Sequence, residues 1–373
     1  MKLALVRQKY NPFGGAERFV ERAMQSLGES GTSVTLITRE WKADDADRNV
    51  RICNPSYFTR QGRDTGFARQ VQKIIASGEF DLVQSHERIP GCHLYRAGDG
   101  VHATWLEQRA RVQPSLARIA TQLHPWHRYT LASEAAMFRH PDLRAVICNS
   151  HMVKRDIAAR FGVTDSKLHV IHNGVDLAYF HPQLRREFRE AIRDALNIPS
   201  KAPVLLFVGS GFERKGLASL LHALSAMQNQ DAHLVVVGAD KRQAVMKNFA
   251  RESNVASRSH FLGGQADVRP YYAAADVFAL PTLYDPFPNA ALEALACGLP
   301  VLTSRTSGAA ELITPACGAV VDALDVKAQA AALDQLVDNA ASMRAAARAI
   351  AKTCSLTDMT TRLIALYASL MGT

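Results

Sequence analysis

TLYDPFPNAALEALACGLP, running from Thr282 to Pro300, decides how the chain is read. Its first half, with Tyr284, Asp285, Pro286, Phe287 and Pro288, is irregular. The prolines exclude a regular strand and suit a loop feeding a helix. The second half, Asn289 to Cys297, predicts one short helix, with Asn289 as a cap and Gly298 and Pro300 as the stop. Its alanines let the helix sit close to a neighbour, and Glu293 interrupts them with a carboxylate. Helix starts attract anions. Asp285 on the loop and Glu293 on the helix are eight residues apart, so one carboxylate could reach the far end of a ligand whose charged middle lies near the helix start; the alternative is an ordinary α/β loop with a surface acid.

Working back to the start, Lys2–Arg7 predicts a buried strand, Asn11 to Gly15 a turn, Ala16–Leu27 a helix and Ser33–Thr38 a second strand. Strand, glycine turn, helix, strand is the opening of a doubly wound α/β domain. Gly14 and Gly15 allow close backbone approach to a ligand, but GxGxxG is absent, so this is no dinucleotide fingerprint. Glu17 either faces the crevice or favours the helix dipole. Further strands are expected near 51–55, 82–85, 145–149 and 168–172, the last running into Asn173, Gly174, Val175 and Asp176, and residues 92–98 carry a short apolar element. Residues 103–140 have irregular helical character, with aromatics mixed among arginines. Such a mixture suits either a core beside a solvated rim or a lipid headgroup surface.

A second α/β domain begins at Pro203. Strands are expected at 204–208, 233–237, 261–264, 277–280, 301–304 and 317–321, with alanine-rich helix over 325–350 and a closing helix over 357–370. The organisation expected is 1–178, 179–356 and a terminal helix over 357–373.

The chain has 373 residues, enough for two real cores, and 47% of them are hydrophobic. The formal net charge is +9, and residues 1–180 hold 25 Lys and Arg against 18 Asp and Glu. A basic first half suggests an anionic partner there, or simply a basic soluble protein. Six scattered cysteines have no metal-ligand spacing, which fits a reducing compartment. The apolar run in MKLALVRQKY is too short for a signal peptide, and no run approaches the ~20 residues that span a bilayer, so any membrane contact is expected to be peripheral.

Gly209 to Gly216, GSGFERKG, is a glycine-bounded loop after a strand. It lacks the GxxxxGK[ST] pattern of nucleotide hydrolases. Arg214 and Lys215 either clamp a diphosphate, as fork and point charge, or are an ordinary surface pair. Glu293 suits a ribose diol and Asp285 a sugar hydroxyl. No HExxH, GxSxG or metal cluster is visible, so phosphate charge would be met by side chains and helix amides, and no cofactor is expected.

These motifs together resemble glycosyltransferase family 4. The resemblance runs from GGAE at Gly14–Glu17 through HNGVD at His172–Asp176 and the Gly209–Gly216 loop to DPFPNAALEALACGLPV at Asp285–Val301. The order is most similar to bacterial lipopolysaccharide core transferases, the heptose-directed glucosyltransferases in particular. The resemblance implies the GT-B fold, two Rossmann-like domains facing across a cleft, with the last helix crossing back to the first. It implies a retaining enzyme using a UDP-sugar, glucose or N-acetylglucosamine, on a lipopolysaccharide inner-core acceptor at the cytoplasmic face of the bacterial inner membrane.

By position, the resemblance makes Arg214 and Lys215 the diphosphate ligands, Asp285 the donor-hexose ligand and Glu293 the ribose ligand, with Phe287, Pro288 and Asn289 beside them. Gly14 and Gly15 would close on the diphosphate. Asp99 would serve the acceptor and the chemistry, His102 and Glu17 would assist, and Asn173 and Gly174 would lie at a hinge or crevice. The family usually has two glutamates where this chain has Asp285 and Glu293, so its first acid is one methylene shorter. The partners expected are the sugar nucleotide, the core acceptor and an anionic membrane surface. Nucleic acid is not expected, and a monomer is favoured. A polysaccharide or small-glycoside transferase, and a non-catalytic nucleotide or nucleic-acid binder, are the competing readings.

Overall fold

The computed structural model describes residues 2–8, 33–40 and 49–371. The chain divides into two compact units, residues 1–172 with 359–373, and residues 173–358. Gly14, Gly15 and Glu17, with the helix expected over 16–27, lie outside the described residues.

In the first unit seven parallel strands form one sheet: β1 (Lys2–Val6), β2 (Ser33–Thr38), β3 (Val50–Ile52), β4 (Leu82–Ser85), β5 (Leu94–Arg96), β6 (Ala145–Cys148) and β7 (Leu168–Val170). Their order is β3-β2-β1-β4-β5-β6-β7. The inner strands are buried on both faces, which is why they read as apolar runs rather than as alternations. Among the described residues, helices α1 (Arg60–Ala76), α2 (His102–Ala110), α3 (Ser115–Leu123), α4 (Pro125–Phe138) and α5 (His151–Phe161) accompany it. The irregular helical stretch of the sequence is thus three helices. Prolines divide it: Pro114 precedes α3, and Pro125 opens α4, where a missing N–H costs nothing.

The second unit is a six-stranded parallel sheet of β8 (Val204–Val208), β9 (His233–Val237), β10 (Ser259–Gly263), β11 (Val277–Leu280), β12 (Val301–Ser304) and β13 (Gly318–Val321). Its order is β10-β9-β8-β11-β12-β13. Its helices are α6 (Leu184–Ala195), α7 (Leu217–Ala226), α8 (Gln243–Glu252), α9 (Arg269–Ala274), α10 (Asn289–Ala296) and α11 (Val326–Lys352). One continuous core joins both faces of this sheet. Helix α8 has no counterpart in the sequence reading, because its two buried residues, Met246 and Ala250, leave little periodic signal.

The last helix, α12 (Leu356–Met371), leaves the second unit after Asp358 and packs on the first. Met359, Leu363, Leu366 and Tyr367 are buried, and the Tyr367 hydroxyl donates to Gln84 Oε1 at 2.6 Å. Gln84 sits on the central strand β4, where a bare amide would be costly, and a helix from the far end of the chain satisfies it. The expected return of the terminal helix is therefore observed.

Candidate active site

In a doubly wound sheet the crevice opens at the carboxyl ends of the strands where the order reverses. In the second unit that point lies between β8 and β11. The loop after β8 carries Arg214 and Lys215, and the loop after β11 carries Asp285. Three strand-end loops are stitched together there. The Arg214 carbonyl accepts from the Leu283 N–H at 2.8 Å and the Thr282 hydroxyl at 2.9 Å. Asp285 pairs with Ser307 in a parallel bridge, its N–H donating to Thr306 O at 3.1 Å and its carbonyl accepting from Gly308 N at 2.8 Å. Gly216 has φ +76°, and a Cβ there would lie 1.9 Å from Pro281 O, so only glycine lets the two loops touch.

The side chains converge as the backbone does. Arg214 Nη1 donates to Asp285 Oδ2 at 3.1 Å and to the Tyr284 carbonyl at 2.9 Å. Lys215 Nζ donates to the same Oδ2 at 3.1 Å. Asp285 is buried. Burial alone would raise its carboxyl, but Lys215 and then Arg214 outweigh that and hold it below the ordinary aspartate range. The sequence expectation gave Arg214 and Lys215 to a diphosphate and Asp285 to a donor hexose. Here they form one ion-paired triad.

Asp240, just beyond β9, was not singled out from the sequence. Its Oδ2 accepts from Gly211 N at 2.7 Å and Phe212 N at 3.0 Å, and its Oδ1 from Arg242 N at 2.7 Å. Burial opposes its ionisation, but these backbone donors hold its carboxyl below the usual range. Asp240 thereby fixes the loop that carries Arg214 and Lys215. Its only sequence signal is its place after a strand.

Helix α10 begins at Asn289, with Pro288 rather than Asn289 at the capping position. Asn289 instead accepts, through Oδ1, from Asn173 Nδ2 at 2.7 Å, and the Phe287 carbonyl accepts from the same amide at 3.3 Å. Glu293 is half-buried, and its Oε2 accepts from the Tyr272 hydroxyl at 2.9 Å. Tyr272 reaches Glu293 from α9, a link invisible in the local sequence. Gly174 lies against the chain entering α12: a Cβ there would sit 2.7 Å from Leu356 Cα. Val175 N donates to Cys354 O at 3.0 Å, and Leu356 N returns a bond to Val175 O at 3.1 Å.

In the first unit Asp99 follows β5 at the carboxyl edge of the sheet and is exposed, with no hydrogen-bond partner among the described residues. His102 begins α2 and is buried. Its backbone N–H donates to both Glu134 oxygens, at 3.0 and 3.1 Å, and Arg88 Nε donates to Glu134 Oε1 at 2.8 Å. The fully buried Glu134 thus supplies the cap that Val101 lacks. His102 Nε2 shares a hydrogen bond of 2.9 Å with His127 Nδ1. Burial, then Arg88, pushes the His102 imidazole down to about 3, and burial, then His124, pushes His127 down to about 4. Both rings are neutral at neutral pH. Among the described residues no three His, Cys, Asp or Glu side chains group as a metal site.

The family described as Glycosyltransferase Family 4 matches residues 13–179, and that described as Glycosyl transferases group 1 matches residues 188–353. The chain is 28% identical over 327 residues to the lipopolysaccharide glucosyltransferase WaaG of Escherichia coli K12, covering 86% of this chain and 85% of that one. Over 158 residues it is 33% identical to LpsE, a lipopolysaccharide core biosynthesis glycosyltransferase of Rhizobium meliloti, covering 42% of this chain and 46% of that one. The crystal structure of WaaG superposes with a TM-score of 0.79 at 26% identity, covering 97% of this chain and 98% of that one. Anabaena HepE, solved with UDP and glucose, shares the fold, with a TM-score of 0.73 at 19% identity, covering 99% of this chain and all of that one. The chain belongs to glycosyltransferase family 4, with the GT-B fold, and is an enzyme of the glycosyltransferase class acting on nucleotide-diphosphate sugars.

Proposed function

We propose that the enzyme transfers a hexose, glucose or N-acetylglucosamine, from its UDP-sugar to a hydroxyl of the lipopolysaccharide core, on heptose, with retention at the anomeric carbon. The observation that carries this reading is the convergence of Arg214, Lys215 and Asp285 on the switch point between β8 and β11. Similarity to WaaG and LpsE supports the core acceptor.

On this reading the donor diphosphate competes with Asp285 for Arg214 and Lys215. Asp285 is then released towards the hexose hydroxyls. Glu293 takes the ribose diol, Phe287, Pro288 and Asn289 line the approach at the start of α10, and Gly14 and Gly15 close on the diphosphate. The bond from the anomeric carbon to the phosphate oxygen breaks, and its electron pair stays on the phosphate. Arg214 and Lys215 hold that growing charge better in the transition state than before it. The acceptor oxygen bonds to the same face of the anomeric carbon, and its proton goes to the leaving phosphate oxygen. Asp99 orients the acceptor, and His102 and Glu17 assist it. Asn173 and Gly174 serve the hinge or crevice.

The acceptor is lipid-linked, and a surface that meets lipid fits it. Helix α3 has no buried residue, and Leu116, Ile119 and Leu123 are exposed along it, with Arg109, Arg111 and Arg118 close by in sequence. That surface rests on an anionic membrane, at the cytoplasmic face of the inner membrane. No described helix is long and apolar enough to cross a membrane.

The test is a panel of UDP-hexoses against purified core oligosaccharides of graded truncation, read by product mass and linkage. A hexose added to heptose is expected. Transfer to other glycans with none to any core acceptor would overturn the acceptor, and an inverted linkage would overturn retention.

A further inference from the structure

Arg185, Arg189 and Arg193 recur every fourth residue on α6, a spacing that puts them on one helix face. All three meet Asp276, the residue before β11. Arg185 and Arg189 each bring Nη2 to 3.0 Å from Oδ1, and Arg193 Nη1 lies 3.5 Å from Oδ2. A fourth guanidinium arrives from α11: Arg344 Nη2 lies 3.7 Å from Oδ1. Among the described residues Asp276 is the only carboxylate within 4.0 Å of these four groups. Lysine and arginine charges are rarely gathered this way unless something of opposite sign completes the set.

Backbone carbonyls account for part of the cluster. Ala274 O and Ala275 O, at the end of α9, accept from Arg185, Arg189 and Arg193, and Pro199, Ser200 and Ala202 accept from Arg193. Arg344 has no such explanation. Its side chain is only 26% exposed, yet it makes no hydrogen bond to the described residues. Arg193 Nε is also buried without a partner. Asp276 stays ionised: burial opposes it, but Arg189 and Arg185 hold its carboxyl below the ordinary range. Three cations are therefore left without a counter-charge. The strain is visible in Arg185, pushed down to about 10 by burial and then by Arg344 and Arg189.

We infer that this cluster is a second anion site, taking a small phosphate-type dianion between Arg185 and Arg344. Two negative charges and tetrahedrally placed oxygens match two guanidinium forks arriving from different helices. A carboxylate would answer only one of the three surplus charges. The site lies by the first residue of β8, whose Val204 N–H donates to Asp276 Oδ2 at 3.1 Å, and just before β11. It is thus at the amino edge of the two strands whose carboxyl ends carry Arg214, Lys215 and Asp285, and it is separate from the donor site. An anion there would tie α6 to α11 and stabilise the second unit by mass action.

The test uses inorganic phosphate against chloride at matched ionic strength, in the full chain carrying Lys215→Ala so that the donor loop contributes less. Calorimetric titration and thermal melts are compared for Lys215→Ala alone and with Arg344→Gln or Arg185→Gln added. Phosphate is expected to bind the single variant and raise its melting midpoint. Each added substitution is expected to weaken binding at least tenfold. A purely structural Arg344 would lower the midpoint in chloride when replaced. Here Arg344→Gln is expected to leave it equal or higher, because a like-charge contact is removed, and to leave UDP binding of the otherwise unaltered chain unchanged. The inference fails if phosphate stabilises no more than chloride does, or if its effect survives both arginine substitutions.

Discussion

Lys215 Nζ and Asp285 Oδ2 are 3.1 Å apart, with both side chains largely buried, and Arg214 closes on the same oxygen. Before any donor arrives, the carboxylate thus holds the lysine where the loop needs it. A Cβ at Gly209 would lie 2.7 Å from Lys215 Cε, so the lysine stem runs along bare backbone. On the proposed reading a donor diphosphate would inherit a cation already in place, with little reorganisation left for the reaction.

Lys215→Ala is therefore expected to lower kcat at saturating donor by roughly 10²-fold or more, as for other lost oxyanion donors. Arg214→Lys is not expected to restore full activity, because one ammonium cannot replace a planar fork. Transfer rates at saturating donor and acceptor, with a thermal melt for each variant, check this. A raised donor KM at unchanged kcat would assign the charge to uniform binding.

Asp285→Asn removes the counter-ion but keeps the shape. UDP affinity is expected to hold or rise, since two cations lose their internal competitor, while hexose transfer falls. The same carboxyl contributes to stability. Its native pKa is depressed, so the contribution is present above the unfolded value of about 3.9 and is lost as pH falls below it. Melts below about pH 4 should therefore separate parent from variant less than melts at neutral pH. A variant that binds UDP much more weakly than the parent would contradict the competition.

Glu293→Gln should weaken UDP and UDP-sugar alike, by about 1.5–3 kcal/mol for a charge-assisted contact. Tyr272→Phe, which removes the 2.9 Å bond that orients Glu293 together with a 3.2 Å bond to the Ala290 carbonyl, should have a smaller effect of the same kind. Titrations of the two variants with uridine, UDP and UDP-sugar check it. Undiminished UDP affinity in Glu293→Gln would remove the ribose role.

His102 and His127 give the first unit an acid limit. Both imidazoles titrate well below the unfolded value of about 6.5, near 3 and 4. Between those limits the unfolded chain takes up protons that the folded one refuses, so stability is full above about pH 6.5 and falls as pH drops towards 4. Urea unfolding between pH 7.5 and 4.5 should show this slope, and His127→Gln should reduce it. An unchanged slope in the variant would place the acid sensitivity elsewhere.

Vesicle sedimentation tests α3. Binding to anionic vesicles at low salt should weaken at high salt, and Arg109, Arg111 and Arg118 replaced by Gln should each cost about 1 kcal/mol. Leu116→Ser with Ile119→Ser should weaken binding without lowering the melting midpoint, because both side chains are already exposed, at 82% and 53%. Equal binding to neutral and anionic vesicles would remove the electrostatic part of the proposal.

What the sequence determined by itself was local. Apolar runs flanked by glycine and proline place Ser33–Thr38, Leu82–Ser85, Val204–Val208, His233–Val237, Val277–Leu280 and Val301–Ser304 on the strands observed, because a parallel strand buried on both faces leaves a continuous apolar signature. The Gly209–Gly216 loop and the Asp285–Glu293 segment were legible for the same reason: glycine, proline and paired charges within a few residues carry their meaning on the surface of the text.

Only the tertiary structure decided which of those residues meet. Asp285 faces Arg214 and Lys215 because β8 and β11 are neighbours in the sheet though far apart in the chain. Asp240 grips the loop from β9, Tyr272 reaches Glu293 from α9, and His127 and Glu134 close on His102 from α4. Tyr367 caps Gln84 across 283 residues of sequence. No local pattern encodes such partners. A buried polar group needs a donor or acceptor from wherever packing brings one, and packing is a property of the folded sheet rather than of any window of the chain.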